Sequence, residues 1–268
     1  MHPKSFRIAA IQMVSTPRVE ENLRAAGELI AEAVRQGAGL AALPEYFPIM
    51  GSEADKIAAA EREGSGPIQE FLADTARRHG IWLVGGSLPL VSDVPGKVLN
   101  TCLVFDPQGV RSTRYDKIHL FGFQNDEERY DERATIVPGR QPVSFSAPFG
   151  RVGLSVCYDL RFPELFRALG EVDLIVLPAA FTEVTGRAHW EALLRARAIE
   201  NQCYVLAAAQ GGTHENRRRT HGNSMVIDPW GEVIARRDKG EGVVIGEIDP
   251  ARIAEVRASL PALGHRVL

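Results

Sequence analysis

Two hydrophobic periods alternate along this chain. Short continuous apolar runs mark strands buried on both faces; between them, apolar positions recur every third or fourth residue, as in helices with one buried face. Residues 6–13 predict a first strand. Residues 22–35 predict a helix carrying Leu23, Ala26, Leu29, Ile30, Ala33 and Val34, ended by Gly37 and Gly39. Residues 40–43 predict a strand stopped by Pro44. After Gly66-Pro67 comes a helix with Ile68, Phe71, Leu72, Thr75 and Ala76 on one face, then a strand at 81–84 closed by Gly85-Gly86. Residues 101–105 read as a strand that Asp106-Pro107-Gln108-Gly109 turns into a hairpin.

The second half repeats this grammar. Residues 152–156 predict a strand and 163–169 a short helix. A strand at 174–177 stops at Pro178, a long helix spans 186–202 with Trp190, Leu193, Leu194 and Ile199 as its apolar positions, and 204–208 is again a strand. Residues 224–227 and 243–248 are expected to pair through Asp228-Pro229-Trp230-Gly231, and Asp249 to cap a final helix that buries Ile253 and Val256. The reading is α/β with mixed sheets. Roughly ten to twelve strands are too many for one compact open sheet, so two stacked sheets are expected. With helices on the outer faces, that arrangement is a four-layer αββα sandwich. No Ser/Gly-rich linker, low-complexity tract or shift in composition divides the chain, so residues 1–268 are expected to form one domain.

Charge and cysteine usage narrow the function. A net charge of −3 carries no basic footprint for nucleic acid. The one dense basic cluster, Arg217-Arg218-Arg219, lies among Gly, Thr, His, Glu and Asn and reads as a solvated loop rather than an anion contact. Three cysteines without paired spacing form no disulfide framework and fit a reducing cytoplasm. The first residues lack a signal-peptide pattern, and no apolar run is long enough to span a bilayer. The seven histidines show no metal-ligand spacing, so neither a metal nor a cofactor is expected.

The candidate chemistry starts at Cys157, where the apolar strand ends at a thiol, followed by a polar turn and then Pro163 at a helix start. A strand-to-helix turn lifts one side chain clear of the sheet edge, where a nucleophile is useful. Glu45 follows another strand exit, and Lys117 lies in Tyr115-Asp116-Lys117-Ile118-His119-Leu120. An ammonium favours thiolate over thiol, and a carboxylate can take the thiol proton and later return it to a leaving amine. The ammonium and the backbone N–H after the nucleophile, that of Tyr158, suit an oxyanion. Each residue alone also has a structural reading: Cys157 as packing, Glu45 as a capping carboxylate, Lys117 as a solvated charge. Cys102 and Cys203 read as core packing.

Leu43-Pro44-Glu45-Tyr46, the Lys117 segment and Val156-Cys157-Tyr158-Asp159-Leu160-Arg161-Phe162-Pro163-Glu164 resemble the three signature blocks of the nitrilase superfamily of carbon–nitrogen hydrolases. Supporting resemblances include Asn100-Thr101, Val137-Pro138-Gly139, Leu177-Pro178-Ala179-Ala180-Phe181 and the run from His221 to Gly231. The resemblance implies the αββα sandwich, a homodimer or higher homo-oligomer, Glu45 as general base, Lys117 as oxyanion-stabilising cation and Cys157 as nucleophile. It implies a supporting glutamate, best matched by Glu132, with Glu127 and Glu128 as neighbours. Within the family, the sequence resembles the branch acting on deaminated glutathione and related ω-amides. That implies hydrolysis of a small carboxylate-bearing amide to acid and ammonia through a cysteine thioester. Arg161 is then a candidate carboxylate ligand, against a structural ion pair with Asp159 or Glu164, and Phe181 and Thr182 are candidate pocket walls. The same Cys-Glu-Lys set serves a nitrile or N-carbamoyl amine hydrolase. From another class come a non-catalytic binding member of the fold and a redox-sensing thiol protein.

Overall fold

The computed structural model describes residues 5–124 and 129–267. In chain order the first half comprises β1 (Phe6–Gln12), α1 (Val19–Arg35), β2 (Leu40–Ala42), α2 (Glu53–Ala58), α3 (Pro67–His79), β3 (Trp82–Val84), β4 (Leu88–Val91), β5 (Val98–Phe105), β6 (Arg111–Asp116), β7 (Gly122–Gln124) and β8 (Arg129–Asp131). The second comprises β9 (Ser144–Ala147), β10 (Gly150–Leu154), α4 (Pro163–Ala168), β11 (Leu174–Ala179), α5 (Glu183–Asn201), β12 (Tyr204–Ala209), β13 (Ser224–Ile227), β14 (Val233–Arg237), β15 (Gly242–Ile248) and α6 (Pro250–Ser259).

Two mixed sheets form. The first runs β15-β1-β2-β3-β5-β4, with β6 on the other edge of β5; the second runs β14-β13-β12-β11-β10-β9. At the heart of each is a parallel trio, β1-β2-β3 and β10-β11-β12. Strand alternation explains the continuous apolar runs. Ile8, Ala10, Leu40, Ala42, Val84, Cys102 and Val104 join one core with Val152, Leu154 and Val176 of the second sheet. Their alternates Ala9, Ile11, Ala41, Leu83 and Leu103 join another with Ala26 and Ile30 of α1 and Ile68, Leu72 and Ala76 of α3. On the far side, Trp190 and Leu194 of α5 pack on the second sheet. The fold is the four-layer αββα sandwich. Cys102 and Cys203 are wholly buried in its core.

The helix signals act as expected: Pro67 opens α3, left-handed Gly80 closes it, and the Asp249 carboxylate accepts from Ala251 N at 2.8 Å to cap α6. Three expectations change. Residues 224–227 and 243–248 are not partners. The turn at 228–231 joins β13 to β14 instead, and β15 crosses to the first sheet, antiparallel to β1. Its alternating Val243, Val244, Ile245 and Ile248 suit either sheet, so periodicity alone cannot assign it. The strand through Pro178 continues to Ala179. Ile199 points away from the core, 48% exposed. Among the described residues, no helix is long and apolar enough to cross a membrane.

Candidate active site

Both parallel trios direct their carboxyl ends to one place, where loops rather than ladders satisfy the backbone. The exit from β2 turns sharply. A Cβ on Gly86 would sit 2.2 Å from the Pro44 carbonyl oxygen, so only glycine admits this approach, and the Ser87 hydroxyl accepts from Tyr46 N at 3.1 Å. Tyr46 itself is left-handed, at φ 52°. The turn aims Glu45 inward, 1% exposed. Lys117 leaves the end of β6 with its N–H on Asn100 O (2.9 Å) and its carbonyl held by Gly139 N (2.8 Å). Gly139 lies so close that a Cβ there would be 2.0 Å from Asp116 O.

Cys157 follows β10 with a left-handed φ of 51°. A non-glycine residue in that region costs roughly 1–3 kcal/mol and persists only where its surroundings hold it. Asp159 does the holding. Its buried carboxylate accepts from Val156 N (2.8 Å), Tyr115 Oη (2.6 Å) and His119 N (3.0 Å), and lies 2.7 Å from His119 Nδ1. One side chain thus ties the Cys157 turn to the Lys117 segment. Arg197 clamps the same turn, donating from Nε and Nη2 to Leu160 O at 3.0 and 2.8 Å.

These turns bring three distant segments together. Lys117 Nζ donates to Glu45 Oε1 at 2.8 Å and to both oxygens of Glu132 at 3.0 and 2.8 Å. Asn100 Nδ2 donates to Glu45 Oε1 at 3.0 Å. Glu132 also accepts from Phe121 N at 2.7 Å and from Tyr46 Oη at 3.4 Å. Cys157 faces the same cleft as Glu45, close enough for each group to shift the other's ionisation. Glu127 and Glu128 lie outside the described residues.

The charges set one another. Burial pushes the Glu45 carboxyl up, but the Lys117 charge, the neighbouring Cys157 thiol and the hydrogen bond from Lys117 together hold it below its ordinary value. Burial opposes the Lys117 ammonium too, and Glu132 and Glu45 outweigh it, so the amine stays protonated. Burial, then the Glu45 charge, pushes the Cys157 thiol well up, with Lys117 and the Ala180 backbone pulling the other way. The resting pair is therefore a neutral thiol beside an ionised carboxylate, a donor facing its base.

Glu45, Glu132 and Cys157 open onto a cleft whose other walls are Phe121, Tyr158, Ala180, Phe181, Thr182, Thr185 and Arg218. Thr182 also caps α5, its hydroxyl accepting from Thr185 N at 3.3 Å. Arg161 is not among the cleft-lining residues. Its guanidinium lies over the rings of Tyr158 and Phe181, and Nη1 is 3.3 Å from His189 Nδ1. Among the described residues, Arg161 makes no ion pair with Asp159, Glu164 or any other carboxylate. Arg218 departs from the sequence reading. Arg217 and Arg219 are exposed, but Arg218 turns into the cleft. Asn100 and Asp159 were also not singled out by their side-chain roles. Among the described residues, no cluster of His, Cys, Asp and Glu is arranged to hold a metal.

A buried thiol, carboxylate and ammonium meet at the strand ends of an αββα sandwich, a set of groups suited to covalent attack on a carbonyl carbon. The family model described as carbon–nitrogen hydrolase matches residues 7–258. The chain is 46% identical over 270 residues to a deaminated glutathione amidase of Synechocystis, covering 98% of this chain and 99% of that one. It is 38% identical to an omega-amidase of Xenopus tropicalis, covering 97% and 95%. The crystal structure of Saccharomyces cerevisiae Nit3, titled a member of branch 10 of the nitrilase superfamily, superposes with a TM-score of 0.90 at 29% identity, covering 100% and 98%. The chain belongs to the carbon–nitrogen hydrolase family, and it is an amide-hydrolysing enzyme.

Proposed function

We propose that this enzyme cleaves a small carboxylate-bearing amide, deaminated glutathione or a related ω-amide, through a thioester on Cys157. One observation carries the reading: a buried carboxylate hydrogen-bonded to a buried ammonium shares one cleft with a buried thiol, each from a separate segment of the chain. As sulfur attacks the amide carbonyl carbon, Glu45 takes the thiol proton. Lys117 Nζ and Tyr158 N–H hold the oxyanion that forms. The tetrahedral intermediate collapses by breaking the C–N bond, and Glu45 gives its proton to the departing nitrogen. Ammonia leaves from a primary amide, an amine from a substituted one. Water then attacks the thioester, Glu45 takes its proton, and sulfur leaves with that proton as the acid is released. Glu132 fixes the Lys117 ammonium. Phe181 and Thr182 wall the acyl chain, and Arg161 backs the aromatic side of the cleft with positive charge.

The names of the relatives support the substrate class. We take residues 1–268 as a single carbon–nitrogen hydrolase domain that works in the cytoplasm, in keeping with three unpaired cysteines. Pairing of two copies is supported by exposed apolar side chains on α5 and near it, Val184, Ile199 and Trp230. The test is a panel of ω-amides, N-carbamoyl amines and nitriles assayed for ammonia or amine release, with intact-mass detection of the acyl adduct. The adduct is expected with ω-amides and absent from Cys157→Ala. Turnover by that variant, or activity on nitriles alone, would overturn the reading.

A further inference from the structure

Glu45 and Cys157 come from different sheets, and the sheets meet through apolar side chains, whose attraction has no direction. Contact of that kind leaves the reach from base to thiol for directional bonds to fix. Three consecutive residues of the turn after β2 are held by side chains. Ser87 Oγ accepts from Tyr46 N at 3.1 Å, Ser15 Oγ donates to Phe47 O at 2.8 Å, and Gln210 Nε2 donates to Glu45 O at 3.2 Å. Ser15 and Ser87 lie on loops of the first sheet. Gln210 belongs to the second, one residue past the end of β12.

The Gln210 side chain is wholly buried, with both ends of its amide engaged. Oε1 accepts from Ser15 N at 3.0 Å, and Nε2 donates to Ser15 Oγ at 2.8 Å as well as to Glu45 O. His214 Nδ1 lies 2.9 Å from Ser15 O, so Ser15 is held at nitrogen, hydroxyl and carbonyl. The backbone of Gln210 bonds into the second sheet. Its N donates to Ala179 O at 2.9 Å, next to the cleft wall Ala180, and its O accepts from Gly222 N at 3.0 Å. β11, which ends at Ala179, lies against β10, whose exit carries Cys157. One residue thus refers the Glu45 turn to the sheet that carries the thiol. A main-chain bond, Gly211 N on Met13 O at 2.8 Å, already joins the exits of β1 and β12, but it does not reach the Glu45 turn. An apolar residue at 210 would leave Ser15 N and Glu45 O without these partners, a costly state for buried groups.

We propose that Gln210 is a positioning residue for the reaction: by holding the Glu45 carbonyl from the second sheet, it sets the reach of the Glu45 carboxylate to the Cys157 sulfur. Gln210 does not itself line the cleft. The inference rests on the reading of Glu45 as base and Cys157 as nucleophile, and goes beyond it by naming what places the one against the other. A misplacement of about 1 Å in such a pair costs roughly 100-fold in rate.

The test starts from Gln210→Met, close in size but without the amide. It is expected to lower kcat on the best ω-amide of the panel roughly 10- to 100-fold and to leave KM within about threefold. Labelling by iodoacetamide, read residue by residue by mass, needs no turnover. A base moved off the thiol slows labelling of Cys157 and leaves the buried Cys102 and Cys203 protected. Loss of a merely structural glutamine does the reverse, loosening the fold and speeding labelling at all three. Ser15→Ala keeps Gln210 but removes one of its anchors. It is expected to lower kcat roughly 3-fold with Cys157 labelling slowed alike, and it carries the test if the Met variant does not fold. Unchanged kcat, equal shifts in kcat and KM, or faster labelling overturns the proposal. Glu45→Gln tells the two readings apart. If its Cys157 labels as fast as in the wild type, Glu45 is not the base and both readings fall; if labelling slows there but not in Gln210→Met, this proposal falls alone.

Discussion

The two sheets contribute unlike halves to the cleft. The first-sheet side brings Glu45, Lys117 and Glu132, and there the charges are mutually satisfied: the ammonium spends its donors on two carboxylates that Asn100, Phe121 and Tyr46 also steady. The second-sheet side brings Cys157 on a strained backbone, the walls Phe181 and Thr182, and Arg218, whose Nε has no partner among the described residues. A closed network keeps its geometry before substrate arrives, as preorganised electrostatic stabilisation requires. An open one has bonding capacity left for the ligand. Substitutions on the first side should therefore strike stability and turnover together, and those on the second should separate them.

The sharpest separation is expected at Cys157. Cys157→Ala should cut kcat at least about 10⁴-fold, while stability in urea unfolding stays within about 1 kcal/mol. A large loss of stability would blur the division. Lys117→Met should do the opposite, removing turnover and roughly 3–5 kcal/mol of stability together, because two buried carboxylates lose their cation. An intact melting curve would show that the first side is not a closed network. Asp159→Asn lies between, at about 1–3 kcal/mol, because it weakens the tie from the Cys157 turn to the Lys117 segment; kcat should fall with KM little changed.

Acidity probes the first side without changing an atom. Glu45 is lowered by folding, so its stabilisation is present above the ordinary 4.5 and is lost only as pH falls through the lower folded value. Lys117 is raised, so its share is complete below 10.5 and lost as pH climbs through the folded value. The stability gap between wild type and Glu45→Gln should then be flat across neutral pH and shrink only below 4.5; shrinkage near pH 7 would contradict the pairing. The smallest effect belongs to Arg161→Ala. KM for carboxylate-bearing amides should rise a few-fold, roughly 3-fold, and more than for neutral ones. An equal rise would assign Arg161 to packing of the Tyr158 and Phe181 rings.

Much of this was legible in the residues. Periodicity located most strands and helices, because a strand buried on both faces and a helix buried on one leave different spacings. Glu45, Lys117 and Cys157 stood out because each lies in an extended motif, though nothing in their sequence separation said that they meet. Arg218 stayed hidden because a basic triplet among polar residues has the composition of a solvated loop; only the left-handed Arg217 turn, which composition does not encode, sends the middle side chain inward. Asp159 was visible only as a possible partner for Arg161. Its true partners, Tyr115 and His119, lie on another element, brought near by the stacking of the two sheets. The partner of β15 was lost for a related reason: alternation reveals which face is buried, not which neighbour buries it.

That crossing of β15 has a consequence for synthesis. Residues 6–12 find their antiparallel mate only at residues 242–248, and Gln12 and Ser15 are fastened to Gly240 and Gln210. A nascent chain emerging from the ribosome must hold one flank of its opening strand unsatisfied until almost all of its length has been made, the circumstance in which exposed β edges invite aggregation.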